Sequence, residues 1–309
     1  MSDTEPSVLG KENKERFLSR LFFLIQVSRP GLWSTTALFY LMPLGRGHVF
    51  GSQAFWIGLF YVLFPLGLVL YGVNDIADAE ADRYNPRKGT YLFGSLVATE
   101  QLGWLRRQIL LVQIPFLLLF LFLAGPQILW WLALLLAAVG VYNAPPFAWK
   151  GRPPLDVLLQ SSYLLVFVLS SWLNHVPQLP WLTFVFGALF AMHSHVFGEV
   201  MDIAPDRLAG RRTTATVLGA VKAKYLIAAI LCAEVVLLSL FFQASIVAIA
   251  LGFGALWFVL DATVLWRNHP YKPWEMRIFM WAWNAASIGA IYWDWSSAAL
   301  TQAKNASGL

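Results

Sequence analysis

An all-helical, polytopic membrane protein is the fold class this sequence predicts, and three observations carry the prediction. Of its 309 residues, 58% are hydrophobic and 13% are charged, with a mean hydropathy of +0.61; this excludes most soluble folds and any disordered chain. The apolar residues fall in long runs, the pattern of segments about 20 residues long that cross a hydrocarbon layer about 30 Å thick. Basic residues are segregated: of the 22 Lys and Arg, all except Arg46 and Lys304 fall on one side of an alternating map. That asymmetry is the positive-inside pattern of a membrane chain. It accounts for the net charge of +5 through topology and anionic lipid, with no nucleic-acid partner.

Nine candidate spans follow in order. The stretch Phe17–Val27 is amphipathic and is expected to lie on the membrane surface before the chain enters span one, residues 30–45, through Ser28-Arg29-Pro30. Span two covers 53–76. Spans three and four, 104–124 and 127–144, are split by Gly125-Pro126. Spans five and six, 155–173 and 180–201, are split by Pro177 and Pro180, because proline lacks the donor that would continue a helix. Spans seven, eight and nine cover 218–240, 243–265 and 277–297. Tight hairpins therefore lie on one side and long polar loops on the other. The charged start has no apolar stretch, so no cleaved secretory signal is expected and span one does the targeting. The only cysteine, Cys232, has no partner for an intrachain disulfide. The expected location is the cytoplasmic membrane, with Lys150 in the cytosol and Lys304 outside.

Sliding the sequence on itself exposes a duplication at an offset of 124 residues. Asp75 falls on Glu199, Asp78 on Asp202, Asp82 on Asp206, Arg83 on Arg207, Arg87 on Arg211 and Lys88 on Arg212. More weakly, Pro146-Phe147 falls on Pro270-Tyr271. Four spans per copy is an even number, so both acidic segments face the cytosol. The expected organisation is one domain over 1–309: a cytosolic segment 1–29, a first four-helix repeat 30–151, a second 152–276, and a ninth helix with its tail, 277–309.

The acidic segments read NDIADAEADRYNPRKG and GEVMDIAPDRLAGRR. On a helix Asn74, Asp78 and Asp82 form one row with Asp75 at its flank, and Glu199, Asp202 and Asp206 form another. An isolated acid near a membrane surface is usually a solvated helix end; seven of the 17 acids in two matched clusters are harder to dismiss. At roughly 3 kcal/mol per charge near a helix centre, seven unpaired carboxylates would cost about 20 kcal/mol, more than a typical net stability of about 5–15 kcal/mol. They must therefore line a wet cavity or interface, compensated by cations. Oxygen-only ligands suit Mg²⁺, which takes one or two carboxylates, retained waters and substrate phosphates. The neighbouring Arg87, Lys88, Arg211 and Arg212, with Lys150 and Arg152 in the loop YNAPPFAWKGRPP, would surround a polyanion.

At these residues the sequence resembles the UbiA superfamily of intramembrane prenyltransferases. NDIADAEAD is similar to its signature N-D-x-x-D-x-x-x-D, and Asp202, Asp206, Gly210 and Thr213 to D-x-x-x-D-x-x-x-G-x-x-T. The resemblance implies a helical ring whose motifs bind Mg²⁺-diphosphate beneath a cytosolic cap, with a lipid-accessible central cavity. Asn74, Asp78, Asp82, Asp202 and Asp206 would then serve the metals, and Arg87, Lys88, Lys150, Arg211 and Arg212 the diphosphate. The run N-D-I-x-D-x-x-x-D-x-x-N-P-R-K resembles the lycopene elongase group, in which a short allylic unit joins a long polyene. YNAPPFAWK is similar to a loop of chlorophyll synthase-like members, which keeps an aromatic or chlorin acceptor as the alternative.

The expected reaction transfers a prenyl group from an allylic diphosphate to a lipophilic acceptor. Neutralised leaving oxygens favour ionisation, and a dry aromatic cavity shields the resulting cation. The acceptor's electron-rich carbon then attacks, and a base removes a proton or water adds; Asp75, Glu199 and Tyr142 are the candidate bases. His193 and His195 are read as packing residues, Glu234 as a partner in a helix–helix hydrogen bond, and Asp261 as an interface charge. A cation transporter is the rival from another class, but it would spread its acids along a pore. The D-G-x-x-A-R signature of CDP-alcohol phosphotransferases is absent.

Overall fold

The computed structural model describes residues 8–242 and 244–302; Lys304 lies outside the described residues. The fold is helical as expected, and among the described residues the only β-pairing is an isolated bridge between Thr90 and Gly94. Helix α1, Val8–Val27, leaves Phe17, Leu18, Leu21 and Phe22 exposed while Leu24 and Val27 are buried, as suits a helix lying along a membrane surface. Helix α2, Trp33–Leu41, is flanked by the 3-10 turns Pro30–Leu32 and Met42–Leu44. Then come α3 (Gln53–Asp78), α4 (Leu102–Ala124), α5 (Gln127–Asn143) and α6 (Leu155–Leu173). The second half contains α7 (Trp181–Leu208), the short α8 (Thr214–Leu218), α9 (Ala220–Phe241), α10 (Ser245–Thr263) and α11 (Pro273–Ser297).

Among the described residues, 6 helices are long and apolar enough to cross a membrane: α3, the helix running through α4 from Thr99, α6, α7, α9 and α10. The other three expected spans are helical but differ in kind. Span one is broken by its 3-10 turns, α5 is apolar but has only 17 residues, and α11 is long but more polar. The polar residues of α11 have a specific use. Asn284 accepts from Ser34 Oγ at 2.7 Å and donates to the Gly31 carbonyl at 2.8 Å, and Trp283 Nε1 donates to Thr35 Oγ1 at 2.7 Å. The last long helix is thereby docked against the start of α2 and the turn before it, closing the bundle on itself.

Helix α3 is irregular, passing from α-helix through Pro65 to a π segment, Leu68–Gly72, and back to α-helix at Val73–Asp78. Proline removes one donor, and a neighbour supports the altered backbone. Gln113 Nε2 donates to the Pro65 carbonyl at 2.9 Å, and Tyr61 Oη donates to Gln113 at 2.9 Å. The sequence reading of Asn74, Asp78 and Asp82 as one helical row needs correction here. The α-helix stops at Asp78, and Asp82 sits on a separate 3-10 turn, Ala81–Tyr84. The chain turns because Lys88, farther on, folds back to reach Asp75 at 2.5 Å and Asp82 at 2.8 Å.

A second buried cluster lies between α7, α9 and α10. Lys224 and Asp261 are 0% and 1% exposed, with Nζ 2.6 Å from Oδ1, and the Tyr271 hydroxyl donates to the other Asp261 oxygen. Asp261 is therefore not the interface charge expected from sequence, because its position brings it against the only kind of neighbour that makes burial affordable, a cation and a donor.

Replacing Asn284 with Leu removes two of these three hydrogen bonds, leaving that of Trp283 to Thr35. With interhelical bonds in membranes worth about 0.6–1.7 kcal/mol each, the variant is expected to lose about 1–3 kcal/mol of stability in a reversible detergent-unfolding titration. An unchanged midpoint would show that closure does not rest on these bonds.

Candidate active site

The two acidic segments meet. α3 and its 3-10 extension carry Asn74, Asp78 and Asp82, and α7 carries Glu199, Asp202 and Asp206; all six line one cavity of about 290 Å³. Arg29, Arg87, Lys88, Lys150 and Arg211 line it too. The acids are largely buried, Asp78 and Asp82 at 6% exposure and Asp206 at 7%, so each needs compensation.

That compensation crosses between the segments. Arg87, which follows the first acidic segment, forms a two-pronged contact with Asp202 of the second, its Nε donating at 3.0 Å and Nη2 meeting the other oxygen. Arg211, which follows the second segment, lies 2.8 Å from Asp78 of the first. These are corresponding residues of the duplication, so the exchange is reciprocal. Arg211 also approaches Asp82 at 3.9 Å and Asp206 at 3.7 Å. Lys150 Nζ donates to Asp78 at 2.5 Å and to Asn143 at 3.3 Å, and Asn74 donates to Asp78 at 3.0 Å and to Asn143 at 3.1 Å. Burial pushes the Asp82 carboxyl above its ordinary range, with the Lys88 ammonium opposing the shift.

Two expected site residues fall elsewhere. Asp75 is 1% exposed, sits 2.9 Å from Arg29 and 2.5 Å from Lys88, and does not line the cavity. It anchors cations and has no access to a bound acceptor. Arg212 is exposed and off the cavity wall, because the chain enters α8 immediately after it, whereas its counterpart Lys88 belongs to a loop that folds inward.

Other residues were not singled out from sequence. Arg29 was counted only as a topology charge, yet its guanidinium reaches Asp75 and stacks 4.6 Å above the Tyr71 ring. Its approach requires Gly94, whose φ is +98° and where a Cβ would stand 3.1 Å from Arg29 Nε. The loop 85–98 contributes Asn85, which donates to Asp202 at 2.9 Å, and places Leu92 and Phe93 on the cavity wall. Asp156, fully buried, accepts from the Thr214 N–H at 2.6 Å and from the Thr214 hydroxyl at 2.7 Å, fixing the turn beyond the second acidic segment. Only pairing in three dimensions reveals these roles.

Deeper in the cavity the wall becomes aromatic, with Phe39, Phe190 and Trp283. Between the acids and these rings stand Tyr142, His195 and Glu199. Tyr142 Oη is 3.5 Å from His195 Nε2, and Glu199 Oε1 is 3.0 Å from the same nitrogen. Glu199 Oε2 accepts from the Ala215 N–H at 3.0 Å. His193, by contrast, is buried against Glu234 at 2.7 Å, the helix–helix hydrogen bond expected for that acid.

Chemically, the site offers oxygen ligands and fixed cations at its mouth, and π faces at its base. The donor set of Asn74, Asp78, Asp82, Asp202 and Asp206 is all oxygen and faces one space. Among the described residues no group of three or more His, Cys, Asp or Glu side chains forms a ready metal cage. Mg²⁺ does not require one, since it keeps waters and shares substrate phosphates.

Comparison with known proteins agrees with this geometry. The UbiA prenyltransferase family matches residues 31–283. A lycopene elongase/hydratase of Corynebacterium glutamicum is 28% identical over 278 residues, covering 85% of this chain and 93% of that protein. Another lycopene elongase/hydratase, of Haloferax volcanii, is 33% identical over 214 residues, covering 65% of this chain and 66% of that protein. In fold the chain is similar to a UbiA homolog from Archaeoglobus fulgidus bound to DMAPP and Mg²⁺, with a TM-score of 0.63, 18% identity, and coverage of 89% of this chain and 99% of that one.

Asp156→Ala leaves two Thr214 donors without their acceptor. A loss of about 2–3 kcal/mol is expected, read as an earlier midpoint in detergent unfolding. Asp156→Asn retains an acceptor oxygen and should lose less; equal stability of Asp156→Ala and the unaltered protein would refute the role.

Proposed function

The chain belongs to the UbiA prenyltransferase family, and on that premise we propose that it transfers a prenyl group from an allylic diphosphate to a lipophilic acceptor, a carotenoid such as lycopene, with Mg²⁺. The observation that carries this reading is the convergence of both acidic segments and five cations on one cavity whose deeper wall is aromatic. The lycopene elongase relatives support the choice of acceptor class, and the fold neighbour bound to DMAPP and Mg²⁺ supports the choice of donor and metal.

Asn74, Asp78, Asp82, Asp202 and Asp206 would hold the metal with the diphosphate. A metal held by them would supply positive charge to the leaving oxygens. The chain's own residues supply the rest. Arg87, Lys88, Lys150 and Arg211 already sit among the carboxylates, so their charges are in place to meet diphosphate oxygens without a new ordering cost. The aromatic base excludes water, and each ring can stabilise an allylic cation by about 0.5–2 kcal/mol. A cation transporter would distribute its acids along a path; here they gather at one end of the bundle, beside cations suited to phosphate.

The remaining parts of the reading follow. The nine helical segments are two four-helix repeats plus one, supported by the reciprocal Arg87–Asp202 and Arg211–Asp78 contacts. The site opens to the cytosol, supported by the segregation of Lys and Arg on the loops around it.

Two outcomes test the proposal. Purified protein should release diphosphate from dimethylallyl diphosphate only with Mg²⁺, and Asp78→Ala and Asp202→Ala should each lower that rate at least 100-fold, of the order seen when a charge-stabilising group is removed, while remaining folded in the membrane. Near-normal turnover in either variant would overturn the ligand assignment. A reporter fused after Leu309 should read as external in cells; a cytosolic reading would overturn the orientation.

A further inference from the structure

Every acid at the cavity mouth is committed to a cation, yet prenyl transfer needs a group that takes a proton away from the metal. When the acceptor's π pair forms the new C–C bond, a carbocation is left on the adduct. It becomes neutral when an adjacent C–H bond breaks, its electron pair becoming a C=C bond, or when a water oxygen bonds to the cationic carbon and sheds a proton; by either route one proton leaves. The group that receives the proton must border the cavity, lie deeper than the diphosphate, and carry a lone pair free of other partners.

We infer that His195 is this proton acceptor, with Glu199 as its positioning residue; the inference rests on the transferase reading and deepens it. His195 lines the cavity. It precedes Asp202 by two turns of α7, about 10 Å along the axis toward the aromatic end, where the hydrocarbon of a bound allylic diphosphate would extend. Both neighbours address the same ring nitrogen: Glu199 Oε1 at 3.0 Å and Tyr142 Oη at 3.5 Å from Nε2. A carboxylate on Nε2 favours the tautomer protonated there, which leaves the lone pair on Nδ1. Among the described residues no hydrogen bond engages Nδ1.

Glu199 is held for this task. It is 6% exposed, its Oε2 accepts from the Ala215 N–H, and its Oε1 makes no hydrogen bond and stands 3.0 Å from His195 Nε2. The Oε1–Nε2 approach is close but off-line, as catalytic contacts often are before substrate tightens them. The carboxylate would stabilise the imidazolium that forms, the arrangement in which a buried acid orients a histidine base. His193, two residues away, does not compete, being buried against Glu234.

The test uses purified full-length protein in lipid nanodiscs with dimethylallyl diphosphate, Mg²⁺ and lycopene as the probe acceptor, measuring diphosphate release and coupled product separately. His195→Gln can still donate to Glu199 but accepts no proton. The ratio of coupled product to diphosphate released is expected to fall at least 10-fold in it. His195→Ala should show the same fall, with the ratio partly restored by added imidazole, which a packing defect would not allow. Glu199→Gln should lower the ratio less than His195→Gln. An unchanged ratio in His195→Gln, or equal losses of release and coupling, overturns the assignment of His195 alone. No Mg²⁺-dependent diphosphate release by the unaltered protein overturns the transferase reading beneath it.

Discussion

The reciprocal exchange of arginines between the two acidic segments is the interaction on which the rest of this structure depends. Carboxylates at 6–7% exposure in a membrane-embedded bundle are tolerable only with opposite charge beside them. Arg211 supplies that charge to Asp78, and Arg87 pairs with the half-buried Asp202, each reaching the segment it does not follow in sequence. The two halves of the chain are thereby joined at the cavity mouth, and the joining groups are those a diphosphate and a divalent ion would recruit. One set of charges thus stabilises the fold and prepares the site. Because these cations are already oriented by ion pairs, a diphosphate bound there would exchange partners among fixed groups instead of ordering long, flexible side chains.

Depth along α7 sorts the chemistry. Its continuous helix carries acids at its end, Glu199 one turn in, His195 another turn in, and Phe190 beyond them. The environment changes from charge to dipole to π face within about 25 Å, the rise of roughly 16 residues. An ionising leaving group and a cation that must not meet water have opposite requirements, and a single helix meets both by placing them at different depths. The helices facing outward do the complementary work: Phe122, Trp130, Trp181 and Tyr292 are all exposed, the apolar surface expected of a chain solvated by lipid.

The sequence made legible what has a period or a repeated spacing. Helical spans follow from apolar runs, and the acids followed from the 124-residue offset. It could not show pairs formed by residues remote in the chain. Asp156 and Thr214, and Arg29 and Asp75, are separated by too many residues for any local pattern to mark them. Asp261 was misread for the same reason: alone near a helix end it resembles a solvated charge, and only Lys224 and Tyr271 make it a buried one. Arg212 was misread in the opposite sense, since equivalence in sequence to Lys88 was taken as equivalence in space.

That last difference follows from how the duplicated motifs are built. The second acidic segment stays on one unbroken α-helix to Leu208, so the chain leaves it directly into α8, and Arg212 points away. The first segment breaks at Asp78, after a π segment, and its chain turns back over the site. Turning back is what brings Lys88 to Asp75 and Asp82, Asn85 and Arg87 to Asp202, and Leu92 and Phe93 to the wall. Without that loop the second segment would lose the partners of Asp202, while the cavity would lose part of its cover. The carboxylates thus hold matched positions in the two segments, while the residues that support them differ.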